Sequence, residues 1–225
     1  MGDDELSTTT LFYLFATEWL PGDGADRSVA VPGGSVALED AYGNLVHCAL
    51  WDLQRRGFVD LEQIRPVRNE SVRVLGGASN VAVHVRDQGA SPAGVEGRIL
   101  AAARELGPPT GMLARLAHKM SGDHDFGLRS LLATLSKDTN RPFTQLAGPC
   151  YGQLAQAGLV ETEGKLDQKI TVADTAGVDA LRPRFEELRA ARLRDADAHP
   201  ELTNAVIVDG IYAHRTHYST GSASD

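Results

Sequence analysis

The sequence has little that suits a membrane interior, an oxidising compartment or a nucleic-acid surface. Only two cysteines, Cys48 and Cys150, occur in 225 residues. Both fall within predicted helices, so each is expected to be a small buried side chain and not half of a disulfide. The longest apolar stretch, Leu11 to Leu20, carries Glu18 and is too short and too polar to span a bilayer. Lys and Arg number 22 against 30 Asp and Glu, and the net charge of -8 argues against a large nucleic-acid or anionic-membrane surface.

Signatures of catalysis are also missing. The chain has no G-x-S-x-G nucleophile elbow and no glycine-rich phosphate loop of either common kind. Cys48 follows His47, but adjacent residues on a helix point apart, so these two cannot form a dyad by themselves. The sequence therefore predicts a non-catalytic protein with no cofactor. An enzyme whose polar groups converge only in three dimensions stays open.

Two histidine groups are candidate metal ligands: His118 and His124 with their neighbours Asp123 and Asp125, and His214 with His217. A four-ligand zinc site near His118 would need partners that this stretch does not supply. A loop between helices, capped by one of the aspartates, explains the first group better. The second group lies close to the end of the printed sequence, where solvated histidines are expected.

Two segments far apart in the chain repeat one pattern. They read Leu53-Gln-Arg-Arg-Gly57-Phe-Val-Asp-Leu-Glu62 and Leu154-Ala-Gln-Ala-Gly158-Leu-Val-Glu-Thr-Glu163. Glycine suits the residue just past a helix because it takes a left-handed conformation without a Cβ clash. The alternating apolar residues that follow each glycine favour a strand with one buried face. Each segment thus predicts a helix that ends at a glycine and continues into a β-hairpin.

The remaining elements follow from apolar periodicity and from glycine and proline breaks. We expect helices over 36–56, 95–106, 112–120, 126–135, 142–157 and 178–196, and a short final apolar element over 202–212. Thr9 to Leu20 is helix or strand, Pro21 to Ser35 is a loop, and the two hairpins return over Val72–Leu75 and Lys165–Asp174.

These elements predict a mainly α fold with β-hairpins. One mostly helical domain, residues 9–212, would contain two winged-helix-like units of helix, glycine and β-hairpin. An acidic leader over residues 1–8 and a flexible tail over 213–225 would flank it.

Basic side chains cluster locally despite the acidic total. The candidates for binding an anionic headgroup are Arg129, Lys137 and Arg141, together with Arg55 and Arg56. Guanidinium groups suit phosphate because their donors form a planar fork. The alternative is a solvated surface with scattered ion pairs. The arginines of residues 182–194 alternate with acidic residues, which predicts an exposed helix with ion pairs along its face.

The two glycine blocks resemble the conserved blocks of the Golgi phosphoprotein 3 family, and the resemblance extends over residues 9–195 in order and spacing. A divergent bacterial member of that family would be mostly helical with protruding hairpins. Eukaryotic members bind phosphatidylinositol 4-phosphate and act as adaptors for membrane enzymes. The tryptophan of the family's lipid site falls near Ala37, and its arginines fall near Val46, Thr144 and Ala147.

The leading hypothesis is a cytoplasmic adaptor, peripheral to a membrane or bound to protein, that recognises anionic headgroups or a partner protein. The alternative is a winged-helix transcription regulator with a hairpin as its wing. The sequence pI of about 5.3 and the nearly uncharged helix 143–157 argue against nucleic acid as a partner. Homo-oligomerisation stays open.

Overall fold

The computed structural model describes residues 6–20, 27–64, 79–86, 92–106, 126–137, 139, 141–162 and 169–221. Its helices are α1 (Thr8–Leu14), α2 (Ala16–Trp19), α3 (Leu38–Arg55), α4 (Gly94–Leu106), α5 (Leu128–Leu135), α6 (Pro142–Gln156), α7 (Thr175–Ala198) and α8 (Pro200–Gly221). The prediction of a mainly α fold with β-hairpins is confirmed. The segment Thr9 to Leu20, for which helix and strand were both open, is helical. The predicted helix over 112–120 lies outside the described residues.

All strand pairs of the described chain are antiparallel. The strands are β1 (Ser28–Val31), β2 (Gly34–Ala37), β3 (Val59–Gln63), β4 (Val81–Val85), β5 (Phe126–Gly127), β6 (Val160–Thr162) and β7 (Ile170–Val172). β1 pairs with β2, and β6 pairs with β7. β4 lies between β3 and β5 in a small three-stranded sheet.

The two repeated segments end their helices in the same way. Gly57 and Gly158 have φ angles of 75° and 71°, the left-handed conformation expected of a residue just past a helix. The Gly57 N–H donates to Gln54 O at 2.9 Å, and the Phe58 N–H donates to Leu53 O at 2.8 Å. The second repeat makes the matching bonds from residues 158 and 159 to residues 155 and 154, at 3.0 and 2.9 Å. These are Schellman caps, so the predicted helix–glycine–strand units are present.

The core lies between α1, α3, α4 and α6, and α8 packs across α3. The crossing of α3 and α8 depends on two glycines, since a Cβ on Gly210 would come within 3.0 Å of Gly43 Cα. A Cβ on Gly43 would in turn come within 2.9 Å of Ile207 O. Gly43 therefore marks a close approach of two backbones and not a break in α3.

Parts of the prediction differ from the structure. Pro21 to Ser35 was expected to be a loop, but residues 28–35 form β1, a turn and the start of β2. The strand that pairs with β3 is Val81–Val85, and the expected return strand over 72–75 lies outside the described residues. The boundary expected at residue 213 falls inside α8, which continues to Gly221. Of the expected leader, residues 1–5 lie outside the described residues, whereas Ser7 caps α1 through its side chain.

Candidate functional site

The hairpin of β1 and β2 is closed by a Pro32-Gly33 turn. Gly33 has φ of 79°, which suits the third position of a type II turn, and Pro32 suits the second. Ala30 lies opposite Ser35, and Val29 lies opposite Val36. Because side chains alternate along a strand, Ser28, Ala30 and Ser35 share one face. The opposite face is that of Val31 and Val36, which are buried in the core.

Within the described residues, β1 pairs with β2 alone, so its outer edge is open. The Leu38 N–H donates to Arg27 O at 3.1 Å, so residues 27 and 38 form a hydrogen-bonded pair of the antiparallel ladder. Hydrogen-bonded and non-hydrogen-bonded pairs alternate, so Val29 and Val31 bond to β2, whereas Ser28 and Ala30 do not. The N–H and C=O of Ser28 and Ala30 therefore point away from β2.

In the same described part of the chain, β7 pairs with β6 alone, so its outer edge is open as well. The Ala173 N–H donates to Leu159 O at 2.9 Å, so the next bonded pair along the hairpin is Thr171 with Glu161. The backbone groups of Ile170 and Val172 therefore point away from β6. The Gly33 N–H donates to Ile170 O at 3.3 Å, and this bond holds the tip of the first hairpin against β7.

A groove of about 670 Å³ is lined by residues of both edges and of β2. We call it the two-hairpin groove, and its lining includes Ser28, Ala30, Ser35, Lys169, Thr171 and Val172. Its volume falls in the usual range for binding pockets, about 300–1,000 Å³. It brings together small side chains, hydroxyls and outward-facing backbone of two strands. Sequence reasoning missed this site, because it depends on two hairpins that are far apart in the chain.

Arg129, a predicted headgroup ligand, is part of a half-buried ion pair. Its Nε donates to Asp209 Oδ1 at 2.7 Å, and its guanidinium lies 3.8 Å from the centre of the Tyr212 ring. Asp209 is fully buried and also accepts hydrogen bonds from Ser79 Oγ and from both Asn80 nitrogens, at 2.7 to 2.8 Å. This network ties α8 to α5 and to the start of β4.

The other predicted cations lie at separate places. Lys137 pairs with Glu105 and lies just beyond the C-terminal end of α5. Arg141 is exposed at the start of α6, and its backbone N–H donates to Thr139 Oγ1 at 3.0 Å.

Arg55 and Arg56 share a single carboxylate. Their guanidinium groups contact the two oxygens of Asp52 at 2.8 and 3.3 Å, and the Asp52 side chain is 2% exposed. All three residues lie in the last turns of α3 or at its C-cap, so the two cations also offset the negative end of the helix dipole.

The predicted exposed face with ion pairs is present on α7 at Arg182 and Arg189, which pair with Asp179 and Glu186, but Arg192 is buried. Its Nε donates to His47 Nδ1 at 3.0 Å, and its Nη2 donates to Asn44 Oδ1 at 3.1 Å. The guanidinium also lies 4.9 Å from the Trp19 ring and 5.6 Å from the Phe12 ring. Burial, with Arg192 adding to it, lowers the pKa of His47 to about 3, so this imidazole is a neutral acceptor.

Several reactive side chains lie in the core. Cys48 and Cys150 are fully buried, as predicted, and burial raises the pKa of the Cys48 thiol to about 11. Glu96 is fully buried as well. Its Oε1 accepts from Thr9 N and Thr9 Oγ1 at 2.9 and 2.7 Å, and its Oε2 has no hydrogen-bond partner in the described part of the chain. Burial raises the pKa of the Glu96 carboxyl.

The two groups of histidines that were candidate metal ligands have different outcomes. His118 and His124 lie outside the described residues. His214 was expected to be solvated, but it is 2% exposed, with its ring 5.0 Å from that of Tyr42. No group of three His, Cys, Asp or Glu side chains in the described ranges could hold a metal ion.

None of the helices in the described ranges combines the length and apolar character that a membrane crossing requires. Comparison of the chain with protein-family models, with curated proteins and with solved structures gives no match.

Proposed function

We propose that this protein is a non-catalytic adaptor that binds a segment of a partner protein in the two-hairpin groove. The observation that carries the proposal is the pair of open strand edges that border a groove of about 670 Å³. Open edges are templates for another backbone, and backbone pairing is a recurring mode of peptide recognition.

The charges of the described residues favour the protein partner over the anionic headgroup. Arg129 pairs with Asp209, Lys137 with Glu105, and Arg55 and Arg56 with Asp52. A phosphate that bound these cations would compete with carboxylates that already contact them. The buried Asp209 and Asp52 could not give up their partners without leaving an uncompensated charge.

The burial of the reactive groups supports a non-catalytic role. Both thiols lie in the core and are protonated at neutral pH, since burial raises the pKa of each. His47 is enclosed with Arg192 and is neutral. None of the three lines the two-hairpin groove.

The resemblance of the two glycine blocks to the Golgi phosphoprotein 3 family implies an adaptor function, which agrees with this proposal. The winged-helix-like character of the two units, and with it the alternative of a DNA-binding regulator, stays a prediction. A gel shift at low salt on mixed genomic fragments would test it, since non-specific binding is strongest there.

Site-specific photo-crosslinking tests the proposal. A photoreactive amino acid replaces Ser28 at the rim of the two-hairpin groove, or Glu187 on the exposed face of α7 as a matched control. The full chain is expressed in its source organism. We expect a discrete protein adduct from position 28 and none from position 187. Adducts at neither position, or equal adducts at both, contradict the proposal.

Vesicle sedimentation separates the lipid alternative. We expect equal and negligible binding to vesicles with and without phosphatidylinositol 4-phosphate. Binding that needs this lipid and is lost in Arg141→Gln would assign the function to headgroup recognition instead.

A further inference from the structure

We propose that the partner contributes an extended strand, which pairs through its backbone with the open edge of β1 inside the two-hairpin groove. This inference rests on the proposed adaptor function and specifies the chemistry of the partner. The ligand is thus a linear segment without proline at the paired positions, and not a folded surface or a helix.

The hydrogen-bonding groups of β1 carry the argument. Ser28 and Ala30 each present one N–H and one C=O away from β2, which gives two donors and two acceptors in a row. In the free protein water can satisfy them. A strand in the groove would replace that water with backbone groups at the same spacing, because pairing partners repeat every second residue.

The side chains around this edge leave room for a second backbone. Ser28 and Ala30 line the groove with the smallest side chains that a strand offers besides glycine. The groove does not close on itself, because the bond from Gly33 N–H to Ile170 O fixes the hairpin tip against the start of β7. Val172 then forms the opposite wall, with its backbone groups also directed away from β6.

The edge of β1 is the better of the two for this role. Ser28 is exposed and Ala30 is partly exposed, whereas Ile170 is buried. The Ile170 carbonyl is already used by Gly33. The partner strand therefore joins the β1–β2 ladder and lies beside β7.

Peptide selection with edge-blocking variants tests the inference. Short random linear peptides are displayed and selected on the full chain, and the affinities of the enriched peptides are measured. Ala30→Pro and Ser28→Pro each remove one outward N–H without removing a bond to β2. Thr175→Pro is the matched control, because proline suits the exposed first position of α7 and this residue does not line the groove.

We expect enriched peptides to lose affinity by about tenfold or more in the proline variants, since a backbone acceptor of the peptide is left unpaired. Thr175→Pro should bind as the original chain does. On the unmodified chain, peptide binding should slow hydrogen exchange of the Ala30 amide. This second readout decides the matter if a proline variant fails to fold.

Three results would overturn the inference. They are enrichment of no peptide, equal binding to the proline variants with no added protection of Ala30, and a concentration-dependent dimer of the chain that Ala30→Pro abolishes. The last result would assign the β1 edge to a second copy. If residue 28 gives a protein adduct but the peptides bind the proline variants as tightly as the original chain, the adaptor proposal is retained. Only the inference of strand pairing is then wrong.

Discussion

His47 should make the stability of the protein fall as the pH is lowered below neutrality. Its ordinary pKa is 6.5, whereas burial and the neighbouring Arg192 lower the folded pKa to about 3. Between these two values the unfolded chain binds a proton at His47 and the folded chain does not. Proton binding therefore stabilises the unfolded state relative to the folded state as the pH decreases through this window. The stabilisation of the folded state that is present above pH 6.5 is progressively lost.

The magnitude follows from the two pKa values. Across the full window between the two pKa values, the free energy of unfolding decreases by about 5 kcal/mol, at roughly 1.4 kcal/mol for each pH unit. The part lost between about pH 7 and about pH 5 is about 2 kcal/mol, because the unfolded imidazole is mostly protonated at the lower of these. That loss is a large share of the stability of a typical domain, about 5–15 kcal/mol.

His47→Asn isolates this contribution. The asparagine amide does not titrate, and its oxygen offers Arg192 an acceptor close to where the imidazole Nδ1 lies. Urea unfolding should be measured for both proteins between about pH 7 and about pH 5. The free energy of unfolding of the variant, relative to that of the original chain, should be about 2 kcal/mol higher at the lower pH than at the higher pH. Other titrating groups, including Glu96, are common to both proteins and cancel in the difference. Exposed His199→Asn is the matched control, and parallel pH profiles for the original chain and His47→Asn would refute the reasoning.

Three further changes test other parts of the account. Asp209→Ala should cost about 3–5 kcal/mol in urea unfolding, because it leaves the half-buried Arg129 without its carboxylate; a loss below about 1 kcal/mol would show that the network contributes little. Gly158→Ala should cost about 1 kcal/mol from left-handed backbone alone, since no atom lies within 4 Å of the added methyl, and an unchanged midpoint would contradict the cap. Glu96→Gln should be increasingly more stable than the original chain as the pH rises above 4.5, because burial raises the folded pKa of the carboxyl and its ionisation then opposes folding. A stability difference that does not vary with pH would contradict the raised pKa of the Glu96 carboxyl.

The helix–glycine–strand units were predictable because each is built from neighbouring residues. Gly57 and Gly158 take part in bonds that span at most five residues, so the local pattern carries the whole signal. The hairpin of β1 and β2 also left a local signal, namely Pro32-Gly33 between alternating valines. The glycines and prolines of residues 21–35 predict a loop instead, and this is why the hairpin was not expected.

The buried charges and the groove could not be predicted in this way. Arg192 meets His47 across 145 positions of the chain, and Arg129 meets Asp209 across 80. Periodicity on one helix cannot show that another element will cover an arginine. The two-hairpin groove likewise depends on where the second hairpin, β6 and β7, is placed against the first.

Residue-resolved hydrogen exchange of the free protein tests the open edge of β1 most directly. The amides of Val29 and Val31 bond to β2 and should exchange slowly, whereas the amide of Ala30 between them should exchange as fast as a solvated one. A fast–slow alternation along β1 is the predicted result. Equal protection of all three amides would mean that the edge of β1 is already occupied. No free edge would then remain to pair with a strand of the partner.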